Sequence, residues 1–463
     1  MRLLVIATDV WGRFGGIAQY NRDLLEALAV DERIHRIDVL SLNPCDDANN
    51  SKIKVRHAGG NRLKFVMLCL SMSLRREPGI LLCAHINFIA LARMMKWLSG
   101  LPVWLQIHGL DAWTRPAPSR ERACRETDLV TVVSRCTRHR FLAWSDIDPD
   151  RVRVVPNTVQ LAFKPGARNS TFRKSLGIEL ESSRMLLTVS RLSHFDQYKG
   201  VDKVIAALPN VRKQYPDAIY CIAGDGDDIE RLRSEAKKHG VHDFVKFLGA
   251  VGDQNLLQVY READLFVMPS TNEGFGIVFL EATASGTPAL GLGSDGSVDA
   301  LLEGKLGIIS SAECLPQDIC AALAKPWSPG ALSSETHARF GKPVFAENIQ
   351  RVVTYLHSEF PEHVGLRTHH RTRKGQHSLL ERLVELPRAL LAVGETRYRC
   401  SLQADRYRRN LGHHATLAHD GRVYCRVRYV GQTTKQRRHP LCADGVRGDA
   451  ALVPVLERAF RSF

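Results

Sequence analysis

The segment PSTNEGFGIVFLE, at residues 269–281, decides the fold of this 463-residue chain. An apolar run at residues 265–268 precedes it and is typical of a buried strand. Ile277–Ala284 is apolar and small, and glycine and proline follow it, so it predicts a buried helix. A Gly-rich loop between a strand and a helix N-terminus offers free backbone N–H groups and a positive dipole end to a phosphate. Gly274 and Gly276 let such a ligand approach the backbone closely.

Two carboxylates bracket this segment, Glu273 in the loop and Glu281 on the predicted helix. Eight residues at about 1.5 Å each separate them by roughly 10 Å, which is too far for one shared proton. The spacing suits a sugar and a ribose at opposite ends of a diphosphate, because carboxylates accept hydroxyl hydrogen bonds strongly. The alternative is a helix with one glutamate near its N-terminus and a second, solvated glutamate.

The pattern Ser-x-x-Glu-Gly-Phe-Gly around Glu273, followed by Glu281, resembles the donor-site motif of the retaining glycosyltransferases of family 4, of the bacterial surface-polysaccharide type. The resemblance covers residues 1 to about 345 and implies an α/β GT-B fold, with two doubly wound parallel-sheet domains facing across a cleft. It implies that Glu273 contacts the transferred sugar and that Glu281 holds the nucleotide ribose. The loop residues that we place at the donor are Gly274, Phe275 and Gly276.

Apolar runs alternate with helical stretches along the chain. The predicted strands of the first half span residues 3–7, 37–42, 80–83, 103–107, 129–133 and 152–155. Strands that alternate with helices predict a parallel, doubly wound sheet. We therefore expect one such domain over residues 1–165. The pattern resumes after a linker and predicts a second over residues 166–343. The resemblance implies that the first is the acceptor-side domain and that the second binds the nucleotide sugar.

Gly15, Gly16 and His108 are candidate site residues of the first domain. The two glycines follow the first predicted strand but lack the full Gly-x-Gly-x-x-Gly pattern, which disfavours NAD binding. His108 ends a predicted parallel strand, where residues face the ligand crevice. The resemblance implies that the glycines lie where donor phosphate and acceptor meet, and that His108 contacts the transferred sugar. The alternatives are an ordinary glycine turn and an ordinary loop histidine.

Arg191 and Lys199 are the candidate cations of the second domain. Both lie in the loop that follows a predicted strand beginning at Met185. The resemblance implies that they clamp the donor diphosphate. Paired cations would stabilise the charge that develops on a diphosphate as the glycosidic bond breaks. The alternative is two unrelated surface bases.

Residues 225–227 read Asp-Gly-Asp, a pattern that holds metal in the other large glycosyltransferase fold. Between a strand and a helix, they are predicted instead to form a turn and to cap the helix. We therefore assign no metal and no cofactor besides the NDP-sugar donor. The turn 293–299 departs from the family pattern of a Gly-Gly pair and a Glu, and Asp299 is the candidate replacement for that Glu.

The net charge is concentrated in the C-terminal extension. Residues 361–463 hold 20 Lys and Arg against 9 Asp and Glu, which gives +11 of the total +15. Residues 344–360, just before it, predict an amphipathic helix that crosses back onto the first domain. The extension is too charged to predict a core of its own. It carries no recognised nucleic-acid motif, so we expect no nucleic-acid partner and favour a poorly constrained or out-of-frame extension.

Basic residues flank apolar helical segments at residues 62–76 and 93–97. This arrangement suits an anionic membrane surface, and core helices with solvated ends are an equal alternative. The sequence contains no run of 18 apolar residues, so it predicts no membrane-spanning helix. The first apolar run is too short for a signal peptide. Eleven cysteines without a Cys-x-x-Cys pair are typical of reduced thiols. We expect a cytoplasmic protein, with the inner membrane face as a candidate partner.

The sequence thus predicts an enzyme that moves a sugar from an NDP-sugar, GDP-mannose or a UDP-hexose, to a glycan or a lipid-linked saccharide. Retention of the anomeric configuration is implied by the resemblance. A sugar phosphorylase or nucleotide-sugar hydrolase of the same fold is the alternative among enzymes. The alternative from another class is a non-catalytic, basic nucleic-acid or membrane-binding protein with a GT-B core.

Overall fold

The computed structural model describes residues 1–12, 15–75, 77–176, 178 and 183–363. These residues belong to one compact unit and contain two parallel sheets. Two α/β domains of this kind confirm the predicted fold class. The extension predicted over residues 361–463 lies, from residue 364 onward, outside the described residues.

The first domain is built on a seven-stranded sheet. Its strands are β1 (Arg2–Ala7), β2 (Arg36–Ser41), β3 (Ile53–His57), β4 (Ile80–Cys83), β5 (Val103–Ile107), β6 (Leu129–Val132) and β7 (Val152–Val154). Its helices are α1 (Gly16–Val30), α2 (Arg62–Ser73), α3 (Ile89–Ser99), α4 (Pro118–Arg125) and α5 (Arg135–Ser145). The strand order is β3-β2-β1-β4-β5-β6-β7 and every pairing is parallel. All carboxyl ends therefore lie along one edge of the sheet.

The second domain is built on a six-stranded sheet. Its strands are β8 (Met185–Val189), β9 (Ile219–Ala223), β10 (Val245–Gly249), β11 (Leu265–Val267), β12 (Ala289–Leu292) and β13 (Gly307–Ser310). The helices from residue 170 onward are α6 (Ser170–Ser175), α7 (Val201–Gln214), α8 (Ile229–Lys238), α9 (Asp253–Glu262), α10 (Ile277–Ala284), α11 (Ser297–Ala300), α12 (Leu315–Ala324), α13 (Pro329–Phe340) and α14 (Lys342–Glu359). The strand order is β10-β9-β8-β11-β12-β13, again parallel throughout.

The central strands are buried along their whole length. All six residues of β1 are buried, as are all of β5 and β12. Helices cover both faces of a parallel sheet, so its strands need continuous rather than alternating apolar residues. This explains why short apolar runs were sufficient to predict these strands.

Two strands at sheet edges were not predicted. In β3 only Ile53 is fully buried, and Lys54, Arg56 and His57 are exposed. In β13 two residues are buried and the strand begins at a glycine. An edge strand needs little apolar surface, so its sequence resembles a loop.

Helix α14 returns from the second domain to the first. Its buried face consists of Phe345, Ile349, Val352, Val353 and Leu356, the residues that the apolar spacing selects. The helix packs on α1, where the rings of Phe345 and Tyr20 meet edge-on with centroids 5.7 Å apart. Lys342 forms an ion pair with Asp23 of α1, which is almost fully buried. The two domains are thus joined by packing and by charge.

Candidate active site

The carboxyl edges of the two sheets meet at a glycine contact. Gly109 follows β5 and has φ +139°, and a Cβ there would lie 2.6 Å from Gly274 Cα. A Cβ on Gly274 would lie 2.1 Å from the His108 carbonyl oxygen. Only glycine fits at either position. The predicted site residues His108 and Gly274, 166 positions apart in sequence, are therefore brought together.

The N-termini of two helices lie close together beside this contact. Gly16 begins α1 and Ile277 begins α10, and a Cβ on Gly16 would lie 3.8 Å from Ile277 Cδ1. Gly15 and Gly276 precede these helices with φ of +124° and +91°. Two positive dipole ends and their free N–H groups therefore converge, an arrangement suited to an anion between the domains.

Lys199 and Glu273 form an ion pair in the second domain. Their side chains are 18% and 13% exposed. Burial is the largest single effect and opposes the charge on Lys199, but Glu273, Tyr198 and Asp196 together outweigh it and raise the pKa of the lysine. Lys199 therefore stays a cation next to the Gly-rich loop.

Arg191 lies further out than Lys199. Its side chain is 79% exposed, and its Nη2 lies 3.3 Å from Oδ1 of the buried Asp196. The structure thus gives the two predicted cations different surroundings: Lys199 is already paired with Glu273, whereas Arg191 projects into solvent.

Glu281 takes its hydrogen bond from a residue that the sequence did not single out. The hydroxyl of Tyr260, on α9, donates to Glu281 Oε2 at 2.8 Å. Burial, and then the charge of Glu281, raise the pKa of Tyr260, so it remains a donor. Glu273 and Glu281 therefore have separate partners and do not form a dyad.

The ring of Phe275 packs inside the second domain. Phe275 is 1% exposed, and its ring meets that of Phe340 edge-on, with ring centroids 5.6 Å apart. The ring fixes the loop to α13, because an aromatic side chain gains most by burial. A contact between Phe275 and a donor stays a prediction.

His108 is a neutral hydrogen-bonding group. Burial, and next the charge of His85, lower its pKa to about 3. Its Nε2 lies 2.9 Å from the Ala84 carbonyl oxygen, which can only accept, so Nε2 carries the proton. The lone pair of Nδ1 is then left to accept a hydroxyl hydrogen.

The turn after β12 holds the Glu273 peptide from both sides. Asp295 Oδ2 accepts from the Glu273 backbone N–H at 2.7 Å, and Gly296 N donates to the Glu273 carbonyl at 2.8 Å. Asp295 Oδ1 also accepts from the backbone N–H of Ser297 at 3.0 Å. Asp295 was not among the predicted site residues. It could have been selected because it lies in the turn where the family has a Gly-Gly pair.

Asp299, the candidate replacement for the family Glu, is joined to the first domain. Its carboxylate accepts from the backbone N–H and the guanidinium of Arg135, at 2.5 and 2.6 Å. Arg135 also pairs with Glu303 at 2.7 Å. Asp299 therefore bridges the domains at the N-terminus of α5.

The aspartates of residues 225–227 are used in loop contacts. Asp225 accepts from the backbone N–H of Gly226, and Asp227 from that of His194, at 2.8 and 2.7 Å. The predicted cap is wrong: α8 begins after Asp228, which makes no side-chain cap bond. Within the described part of the chain, no three His, Cys, Asp or Glu residues are grouped as metal ligands. Metal independence stays a prediction.

Both domains match known families. Residues 14–163 match the family described as Glycosyltransferase Family 4, and residues 171–342 match Glycosyl transferases group 1. The D-inositol 3-phosphate glycosyltransferase of Corynebacterium kroppenstedtii is 27% identical over 49% of this chain and 57% of its own length. The GDP-mannose-dependent alpha-(1-6)-phosphatidylinositol monomannoside mannosyltransferase of Mycolicibacterium smegmatis is 33% identical over 44% of this chain and 55% of its own length. The chain thus spans little more than half the length of these relatives.

A solved structure shares the fold. HepE of Anabaena, in complex with UDP and glucose, aligns with a TM-score of 0.63 and 19% identity, over 77% of this chain and all of that protein. This likeness shows the fold, two parallel-sheet α/β domains in a GT-B arrangement.

Proposed function

We propose that this chain, whose residues 14–163 and 171–342 match two glycosyltransferase families, is a retaining glycosyltransferase of polysaccharide biosynthesis. It moves a sugar from an NDP-sugar, GDP-mannose or a UDP-hexose, to a hydroxyl of a glycan or lipid-linked saccharide. The relative from Mycolicibacterium smegmatis, a GDP-mannose-dependent enzyme named for phosphatidylinositol monomannoside, supports both the donor class and the lipid-linked acceptor class.

The observation that carries the proposal is the Lys199–Glu273 pair beside the contact between Gly274 and His108. It joins a cation, a carboxylate and a neutral histidine where two helix N-termini converge. The cation and the N–H groups suit a diphosphate, and the carboxylate and the imidazole suit sugar hydroxyls. Glu281, oriented by Tyr260, suits the ribose.

Charge develops on the diphosphate as the glycosidic bond breaks. Lys199 stays protonated because its pKa is raised, and Arg191 on its exposed loop can turn toward the outer phosphate. Cations held close to a leaving group stabilise this charge more in the transition state than in the bound donor.

The acceptor hydroxyl attacks from the face that the diphosphate leaves, which keeps the anomeric configuration. Its proton passes to the departing phosphate oxygen, so no protein base is required. Asp111 is the buried carboxylate nearest to His108 in sequence, and its Oδ2 faces the His108 backbone N–H at 3.5 Å. We therefore propose that Asp111 orders the loop after β5 and does not form a covalent intermediate with the sugar.

The test incubates the protein with a panel of UDP- and GDP-sugars, with and without glycan and lipid-linked acceptors. We expect nucleotide release that depends on the acceptor, a product with retained configuration by NMR, and loss of both in Glu273→Ala. Release that is independent of acceptor indicates a hydrolase, and release that requires inorganic phosphate indicates a phosphorylase. No release with any donor, together with binding to nucleic acid, contradicts the proposal and supports a non-catalytic protein.

A further inference from the structure

Helix α2 is apolar on two faces, although only one of them is buried. Phe65, Val66, Cys69 and Met72 pack into the first domain. On the outer side Leu63, Met67 and Leu74 are 48%, 50% and 46% exposed. A helix that is apolar all round is normally enclosed on all sides.

The outer apolar residues form a continuous stripe. Residues 63, 67, 70 and 74 are spaced by four, three and four positions, so they lie on one side of the helix. Leu63, Met67 and Leu74 are three of the eight exposed large apolar residues among the described part of the chain. Such a concentration marks a surface that contacts something apolar.

Cations surround this stripe. Residues 52–75 contain six Lys and Arg and no Asp or Glu. One of them, Lys52, donates to the Asp31 carbonyl oxygen at 3.1 Å. Lys64 and Arg75 are exposed at the two ends of the stripe. Arg56, from the edge strand β3, reaches the same helix, with Nη1 3.0 Å from Met72 Sδ.

The second segment that suggested membrane binding has different partners. Arg93 pairs with Glu126 and Lys96 with Asp128, both at 2.6 Å. Residues 93–97 therefore do not offer free cations, and the surface is restricted to residues 52–75; Arg76 lies outside the described residues.

We propose that residues 52–75, the α2 surface, bind an anionic lipid bilayer with α2 lying in the plane of the interface. Apolar side chains enter the headgroup region and the surrounding Lys and Arg bind lipid phosphates. A second copy of the chain is the poorer occupant, because a two-fold contact would bring two sets of six cations together.

The α2 surface begins at the edge of the sheet that carries the site. All strands of the first sheet are parallel, and α2 starts soon after the carboxyl end of β3. His108 and the N-terminus of α1 also follow carboxyl ends of this sheet. If the proposed function holds, a lipid-linked acceptor in the bilayer is thereby supplied beside the cleft; the lipid binding itself does not depend on it.

The experiment measures co-sedimentation of the full chain with vesicles of 30% phosphatidylglycerol in phosphatidylcholine, and with pure phosphatidylcholine, at low and high salt. One variant reverses charge on the α2 surface, Lys64→Glu with Arg75→Glu. The other removes apolar contact, Met67→Ser with Leu74→Ser. The matched controls are Lys213→Glu with Lys237→Glu, exposed bases of the second domain, and Val30→Ser with Leu161→Ser, exposed apolar residues elsewhere.

We expect the chain to bind the anionic vesicles, and more weakly as the salt concentration rises. Each α2 variant should bind these vesicles at least tenfold more weakly than the parent, since each cation contributes roughly fivefold to the affinity. The controls should stay within about twofold of the parent. An equal loss in the Lys213 and Lys237 variant would assign the binding to total charge, the C-terminal extension included, and overturn the proposal. A dimer that Met67→Ser with Leu74→Ser converts to a monomer, without vesicle binding, would overturn it in favour of a second copy. Neither α2 variant alters the cleft. The rate of nucleotide release with a water-soluble acceptor should therefore be unchanged in both.

Discussion

Asp295 acts on the donor loop through the backbone of Glu273. Its two carboxylate oxygens accept from Glu273 N–H and from the backbone and hydroxyl of Ser297. Asparagine replaces one of these oxygens with an NH2 group, which then faces a donor. Because a displacement of about 1 Å can cost on the order of a hundredfold in rate, Asp295→Asn should lower kcat by roughly ten- to a hundredfold.

The readout for Asp295→Asn is kcat against the KM for the donor, with thermal unfolding of the same preparation. The exposed Asp243→Asn is the matched control. If Asp295 were purely structural, Asp295→Asn would lower the melting temperature and leave kcat per folded molecule unchanged. That result would contradict the positioning role.

The two glutamates of the motif should separate kinetically. Glu273 pairs with Lys199 and Glu281 accepts from Tyr260, and in the proposed function the first serves the sugar and the second the ribose. Glu273→Gln should lower kcat on the order of a hundredfold, as expected when a transition-state contact is lost. Glu281→Gln should mainly weaken nucleotide binding, and Tyr260→Phe should reproduce this more mildly. Calorimetric titration with UDP and GDP, beside steady-state kinetics, measures the split; equal effects of Glu273→Gln on binding and turnover would contradict it.

Asp111 gives the fold a pH dependence. Burial raises its pKa to about 7, against about 3.9 in an unfolded chain. The folded state then binds the proton more tightly, so this group's contribution to the free energy of unfolding falls as pH rises from about 4 to about 7. Asp111→Asn does not titrate. Relative to the parent it should gain on the order of 1–3 kcal/mol between pH 5 and pH 8, since one pKa unit is about 1.4 kcal/mol.

Thermal unfolding of parent and Asp111→Asn at several pH values measures this difference. With an unfolding entropy of about 2.1 cal/mol/K per residue, a chain of this size shifts by roughly 1 °C per kcal/mol, so the difference appears as a relative increase of about 1–3 °C in Tm toward high pH. A Tm difference that stays constant with pH would show that Asp111 does not titrate in this range.

Residues that act through tertiary contacts were beyond sequence reasoning. Glu273 and Lys199 were selected because their types and their loops suit a diphosphate sugar, and the structure brings them together. Asp295, Asp111 and Tyr260 look like an ordinary turn, loop and helix residue. Their roles arise from partners distant in sequence or from burial, neither of which leaves a local pattern.

At the scale of elements, the clearest signals were those with continuous burial. Helix α10 was predicted with its observed bounds, Ile277–Ala284, because its composition and the glycine and proline after it agree. The edge strands β3 and β13 were missed because half of their residues need not be apolar. The buried strands were therefore sufficient to predict the fold class, although two edge strands were missing from the prediction.

The loop from residue 190 to residue 200 is expected to supply the positive charge of the site. It carries Arg191 and Lys199, and Asp227 and Asp228 bind it through His194 and Gln197. We predict that activity survives EDTA, because in the proposed site two side-chain cations and two helix N-termini would stabilise the diphosphate without a metal ion. The assay compares turnover before and after EDTA and after adding Mg²⁺ or Mn²⁺. Complete loss that either ion restores would make Asp225 and Asp227 candidate ligands.

At the scale of the whole molecule, α14 is the helix that joins the two domains. It buries five apolar residues and contributes Lys342 to Asp23, and Arg33 of the first domain donates to Thr354 at 2.8 Å. Every residue that we place in the site lies before it. Residues 1–360 carry 44 Lys and Arg against 40 Asp and Glu, so they are close to neutral for their size.

A stop after Pro361 should therefore leave a folded, active enzyme with a charge near +4, because every residue that we place in the site, and the buried face of α14, precede it. A stop before Val344 should unfold or aggregate, since it removes all five buried residues of α14, and burying one such side chain contributes about 1.5–3 kcal/mol. Thermal unfolding and sugar transfer are measured for both truncations and for the full chain. If the stop after Pro361 abolished transfer while Tm stayed that of the full chain, residues 362–463 would be a functional module. Its role in acceptor binding would then be tested by titrating acceptor against both proteins, where a rise in acceptor KM alone would assign it.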